Sequence, residues 1–152
     1  MSVHGRTVID AEGLILGRMA SIIAKRLLEG ERIEIVNAEK AVVSGKRDMV
    51  LKDRVEFLGV GKSGRKGPLH YRKPNAIVRR TVRGMLPHRK ARGREAFRRL
   101  RVHIGVPRGF EAARAESLPD ANLDRLSGRY VTVGEIARRI GWKDHLKESE
   151  GE

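Results

Sequence analysis

Hydrophobic side chains recur along the first sixty residues at two different periods. Val8 and Ile9 form a short apolar run within Thr7 to Asp10, which predicts a strand, with Ala11-Glu12-Gly13 as the turn after it. From Leu16 the period changes. Leu16, Met19, Ala20, Ile23 and Leu27 fall at i, i+3, i+4, i+7 and i+11, with Ala24 and Leu28 beside them, which is one apolar helix face. Gly30 stands where a helix C-terminal glycine belongs. Arg18, Lys25 and Arg26 lie off that stripe, toward solvent or an anion. Ile33 and Ile35 alternate with charges between Arg32 and Asn37, predicting a second strand. Strand, helix, strand over this length predicts a βαβ unit with parallel strands and a right-handed crossover.

Ala41-Val42-Val43 is a short apolar run, a strand end or a packed loop. A second helix is predicted over about 46–58, with Met49, Val50, Phe57 and Leu58 interleaved with charges. Gly59, Gly61, Gly64, Gly67, Pro68 and Pro74 make 59–74 a loop. Over Asn75 to Leu86 a helix returns, with Ile77, Val78, Val82, Met85 and Leu86 on one side and Arg79, Arg80 and Arg83 on the other; Pro87 ends it. A shorter helix follows over Gly93 to Leu100. It turns Ala96, Phe97 and Leu100 inward and Arg94, Arg98 and Arg101 outward. Val102-His103-Ile104 reads as a strand, and 111–128 as an irregular connection. Thr132-x-x-Glu135 is a capping box opening a last helix with Ile136, Ala137 and Ile140 on its apolar side, Gly141 as its stop and Trp142 packed back on the core. Residues 143–152 read as a polar tail. These elements predict one α/β domain across 1–152.

Charge changes the picture. The 152 residues carry 33 Lys and Arg against 19 Asp and Glu, net +14, with pI near 11.0. The excess is local. Residues 62–110 hold sixteen Lys and Arg and one acid, Glu95, for a net +15. Such one-signed segregation calls for a polyanion, nucleic acid before an anionic membrane. A membrane-surface helix needs large apolar groups free for lipid, whereas Val78, Val82 and Met85 are assigned to a core. No cysteine is present, which excludes disulfides, thiolate metal sites and Cys nucleophiles and fits a reducing cytosol. The N-terminus shows no apolar signal region, and no apolar run approaches a membrane span.

Tempting motifs fail on context. Gly59-Val60-Gly61-Lys62-Ser63-Gly64 matches GxGxxG, but a helix precedes it and Arg65-Lys66-Gly67-Pro68 follows, where a dinucleotide site needs a strand and then a helix. Gly61-Lys62-Ser63 mimics the end of a P-loop, but Glu56 stands where its first glycine belongs. His4, His70, His88, His103 and His145 lack metal-ligand spacing, and His103 reads as a structural histidine. No nucleophile elbow or carboxylate pair supports catalysis. No metal, cofactor or small-molecule substrate is expected.

The candidate nucleic-acid contacts therefore lie within 59–110. They are Lys62, Arg65, Lys66, His70, Tyr71, Arg72 and Lys73 in the loop, and Arg79, Arg80 and Arg83 on the helix. His88, Arg89, Lys90, Arg92, Arg94, Arg98 and Arg101 follow. Arg suits bidentate phosphate contact and stacking on exposed bases. No DNA-reading motif and no aromatic RRM platform is present, and basic extensions from a small domain suit folded RNA. Two other classes are an RNA-acting enzyme, with 7–58 catalytic, and a chromatin-like DNA binder.

Gly67-Pro68-Leu69-His70-Tyr71-Arg72, Arg80-Thr81-Val82-Arg83-Gly84-Met85-Leu86-Pro87-His88, Arg92-Gly93 and Gly105-x-Pro107 together resemble the universal large-subunit ribosomal protein family number thirteen. Val8-Ile9-Asp10-Ala11, Leu16-Gly17-Arg18-Met19-Ala20-Ser21 and Val36-Asn37-Ala38-Glu39 match its pattern in the same order, so the resemblance covers about 7–110. Arg6-Thr7 stand where bacterial members carry a Trp, and the bacterial HPHxAQxP-like ending is absent. Ile136-Ala137 to Gly141-Trp142-Lys143 is similar to the archaeal and eukaryotic ending. The branch implied is archaeal. The resemblance implies a three-layer α/β/α fold with a small, mainly parallel sheet of about four strands plus basic loop and helical extensions. It further implies a structural protein of the cytoplasmic large ribosomal subunit, with large-subunit rRNA and neighbouring ribosomal proteins as partners, a role in rRNA folding and subunit assembly, and no reaction.

Overall fold

A computed structural model describes residues 2–3, 5–60, 70–110 and 114–144. In chain order the elements are β1 (Ser2–Val3), β2 (Arg6–Asp10), α1 (Leu16–Leu28), β3 (Ile33–Val36), β4 (Val42–Ser44), α2 (Arg47–Gly59), α3 (Pro74–Gly84), α4 (Ala91–Arg98), β5 (Leu100–Val102), β6 (Tyr130–Thr132) and α5 (Val133–Arg139). One sheet has the order β1-β2-β3-β5, with β2, β3 and β5 parallel and β1 antiparallel at the edge; β4 and β6 pair separately as an antiparallel ribbon. The α/β class, the small mainly parallel sheet and the β2-α1-β3 unit are as the sequence predicts.

The sheet register sets its apolar face. Ile9 lies opposite Ile35, Ile33 opposite Leu100, and Ile35 opposite Val102. These residues share one apolar cluster with Met19, Ile23 and Leu27 of α1, Ile77, Val78 and Val82 of α3, Ala96 of α4 and Ala137 of α5. Burying each large side chain of this kind stabilises by roughly 1.5–3 kcal/mol. The stop of α1 is a Schellman motif. Gly30, at φ 102°, donates to Leu27 O, and Glu31 N donates to Arg26 O.

The opposite face corrects the strand reading. All four residues of β3 are buried, Glu34 included. Glu34 Oε2 lies 2.6 Å from His103 Nε2, and Oε1 lies 3.4 Å from Arg6 Nε and 3.9 Å from Arg101 Nη1. A carboxylate leaves water only when such partners replace it. His103 is thus structural, as expected, although it sits just past its strand. Arg26 also departs from expectation. Its guanidinium is clasped by Glu31 at 2.8 Å and Glu116 at 2.9 Å, which hold its pKa above the ordinary value, Glu31 contributing most.

Several boundaries shift. The last strand of the large sheet is Leu100–Val102, two residues before its predicted position, because the inward turn of Leu100 belongs to a strand and not to the end of α4. Met85 caps α3 and is exposed, so it leaves the inner face. In α2 only Leu51 is buried, while Met49 and Phe57 are exposed. Val42–Ser44 is a full strand whose partner, Tyr130–Thr132, the sequence did not announce. The polar tail expected over 143–152 lies outside the described residues from 145 onward.

Thr132 caps α5 as predicted. Its hydroxyl accepts from Glu135 N at 3.2 Å, while the Glu135 carboxylate takes Arg47 Nε at 3.3 Å. Thr132→Ala is expected to cost about 1 kcal/mol, read as a small fall in the thermal midpoint; an unchanged midpoint would mean the cap is idle.

Candidate nucleic-acid interface

Pro74 sits in the first turn of α3, where its missing N–H costs nothing. The helix then follows its two-sided pattern. Ile77, Val78 and Val82 are buried, and Arg79 and Arg80 are exposed, with Arg83 half-buried beside them. After a turn through Pro87 and His88, α4 runs back with Gly93 and Ala96 buried and Arg92, Arg94 and Arg98 exposed. Gly93 is required by proximity: a Cβ there would stand 2.0 Å from the Pro87 carbonyl oxygen. The close approach sets α4 against the turn.

Two contacts order the side chains. The Arg79 guanidinium lies 4.2 Å from the centroid of the Phe97 ring, joining α3 to α4. Arg72 lies over Gly141 at the end of α5, its Nη1 3.0 Å from where a Cβ would stand. Tyr71, Ala76, Arg79, Arg80, Arg83 and Phe97 line one cavity of about 260 Å³. A second, of about 310 Å³, lies between α2 and α3 and shares Tyr71 and Arg80 with it. His70 lines the second cavity and packs against Phe57 in a tilted arrangement, ring centroids 4.3 Å apart at 44°.

The predicted contacts thus divide into groups. Tyr71, Arg79, Arg80 and Arg83 converge on one cleft, with Arg72 and Lys73 exposed next to them in sequence. Arg89, Lys90, Arg92, Arg94 and Arg98 are exposed on the turn and on α4, and Arg94 donates to Arg89 O at 3.1 Å. His88 is half-buried, its Nδ1 3.3 Å from Leu86 O. Arg101 stands apart. It points to the Glu34 side of the sheet, away from the face that α3 and α4 cover. Lys62, Arg65 and Lys66 lie outside the described residues.

Sequence reasoning missed three participants. Arg54 and Phe57 line the second cavity from α2, whose weak periodicity hid which face was outward. Phe97, expected inside, is only half-buried and carries Arg79. Conversely Arg99, one of the sixteen cations, turns inward and donates from Nη2 to Leu27 O at 2.7 Å, at the C-terminal end of α1.

Electrostatically the surface is uncompensated. Elsewhere Arg6, Arg26, Lys40, Arg47, Lys52, Arg125 and Arg138 are paired with carboxylates. Among the described residues no Lys or Arg between 70 and 99 has such a partner. Nor do the described residues hold a cluster of three metal-ligating side chains, or a helix long and apolar enough to cross a membrane.

The family model described as Ribosomal protein L13 matches residues 4–108, which includes both arginine helices. The chain belongs to the ribosomal protein L13 family. Large ribosomal subunit protein uL13 of Archaeoglobus fulgidus is 51% identical over 139 residues, covering 90% of this chain and 88% of that protein. The uL13 of Methanopyrus kandleri is 46% identical over 140 residues, with 90% and 87% covered. That of Aeropyrum pernix is 45% identical over 144 residues, 93% of each chain. The chain is thus an L13 protein of archaeal type, a structural ribosomal constituent and not an enzyme.

Proposed function

We propose that this L13 protein binds large-subunit rRNA through residues 59–110 of a single domain spanning 1–152, supports the folding of that RNA during subunit assembly, and stays on the mature large subunit in the cytoplasm beside neighbouring ribosomal proteins. The observation that carries this reading is the row of cations on α3 and α4, none of which is ion-paired with a carboxylate among the described residues. The eleven Lys and Arg between residues 70 and 99 repel one another until phosphates neutralise them. Each neutralised phosphate releases counterions, so binding must weaken with salt. The fold anchors this charge: the inner sides of α3 and α4 are core, so their arginines are held at fixed spacing, not on a free tail.

Replacing Arg79, Arg80 and Arg83 together with Gln tests the reading. The log–log dependence of rRNA affinity on salt is expected to flatten by roughly 0.7–0.9 per lost phosphate contact, so by about two for three contacts. An unchanged slope would mean that these arginines do not touch phosphate. In cell extract the protein should co-sediment with large subunits, and its absence from them would sink the assignment. Competition with duplex DNA separates the DNA-binding class, which predicts equal affinity for DNA and rRNA.

A further inference from the structure

Phosphate contacts need only cations, and the cleft beside α3 holds more than cations. Tyr71, Ala76, Arg79, Arg80, Arg83 and Phe97 enclose about 260 Å³. This is just below the roughly 300–1,000 Å³ of pockets for drug-sized ligands; it suits one planar base and not an extended cofactor. The chain has only six aromatic residues, and two of them frame this cleft. Tyr71 is 63% exposed, so its ring contributes little to the core and is available to a ligand. The Arg79 guanidinium lies over the Phe97 ring, 4.2 Å from its centroid, and Arg79 is itself exposed, so a second planar group is held at the cleft. Ala76 is the smallest residue of the wall and leaves the space open.

We propose that this cleft binds a single unpaired base of ribosomal RNA, stacked between Tyr71 and the Arg79–Phe97 pair, with Arg80 and Arg83 on the flanking phosphates. The inference rests on the RNA-binding reading above and specifies what the segment takes: a nucleotide splayed out of a loop or bulge. A continuous A-form duplex keeps its bases stacked inside and offers the protein mainly backbone. Stacking accepts any base, since every base has a π-face, so the site selects an unpaired nucleotide and not a particular letter.

The test compares full-length wild type, Tyr71→Leu, Tyr71→Phe and Ala76→Leu, each titrated against protein-free large-subunit rRNA over a range of salt. Tyr71→Leu is expected to weaken binding about tenfold, the scale of one lost base stack, with the salt slope unchanged because no charge is removed. Tyr71→Phe keeps the ring and should retain wild-type affinity. Ala76→Leu fills the cleft with every cation in place and should weaken binding as Tyr71→Leu does. Both positions lie outside the core, so thermal midpoints should stay close to wild type. Wild-type affinity in Tyr71→Leu and Ala76→Leu would overturn the base site while leaving salt-dependent rRNA binding in place. A wild-type protein without salt-dependent affinity for rRNA would remove both readings.

Discussion

Val82→Asp is expected to abolish the cooperative thermal transition of this protein. Val82 is fully buried on α3, in the apolar cluster shared with α1, the sheet and α5. The arginines of α3 point the other way, so a carboxylate at 82 meets Ile, Leu and Ala in place of a cation. It must either stay charged without water or take up a proton, and it still leaves oxygen atoms unpaired. The cost is about 4–5 kcal/mol or more, at the top of what single substitutions do, against a total stability of about 5–15 kcal/mol for a domain. Far-UV circular dichroism on heating reads the outcome. A melt identical to wild type would show that this face of α3 is exposed.

Gly93→Ala is expected to destabilise by about 3 kcal/mol, although alanine is the better helix former. In an exposed helix the exchange would gain up to about 1 kcal/mol. Here the added Cβ would stand 2.0 Å from the Pro87 oxygen, 2.3 Å from the Pro87 carbonyl carbon and 2.9 Å from His88 N. All three are backbone atoms, so the turn between α3 and α4 has to move. The thermal midpoint should fall by about 6–12 °C at the 2–4 °C per kcal/mol of a domain this size, and rRNA affinity should drop as Arg79 and Phe97 part. Gly84→Ala is the matched control. Nothing lies within 4 Å of a Cβ there, so it should be neutral or slightly stabilising. Equal effects at the two glycines would refute the close approach.

The sequence was most legible where one side chain pattern had one physical cause. The i, i+3, i+4 stripe of α1 and the two-sided α3 are buried and exposed as their periods predict, because each turns one continuous apolar side into the shared core. Legibility failed where burial depends on distant partners. Glu34 looked like an outward charge because Arg6, Arg101 and His103 reach it from other parts of the chain. Strand β6 was invisible because three residues carry almost no periodic signal, and its partner lies at Val42–Ser44. The basic surface was visible as charge but not as shape. Composition announced the sixteen cations, yet the meeting of Arg79 with Phe97 is a contact between two helices, and Arg99 turns inward to Leu27 O at the end of α1 while Arg101 is exposed on the Glu34 side of the sheet.

The β4–β6 ribbon has a consequence in time. Pairing Val43 with Val131 closes a loop of nearly ninety residues, the kind of long-range contact that forms slowly because chain entropy must be lost before any contact rewards it. The parallel strands and both arginine helices are finished by Val102. On a chain made from its N-terminus, both arginine helices are therefore synthesised before the ribbon that fastens α5 onto the domain can close. On the proposed rRNA-binding reading, phosphates that reach α3 and α4 early would relieve their repulsion while the chain is still folding, and the RNA would then template the last step of folding as well as bind the finished protein.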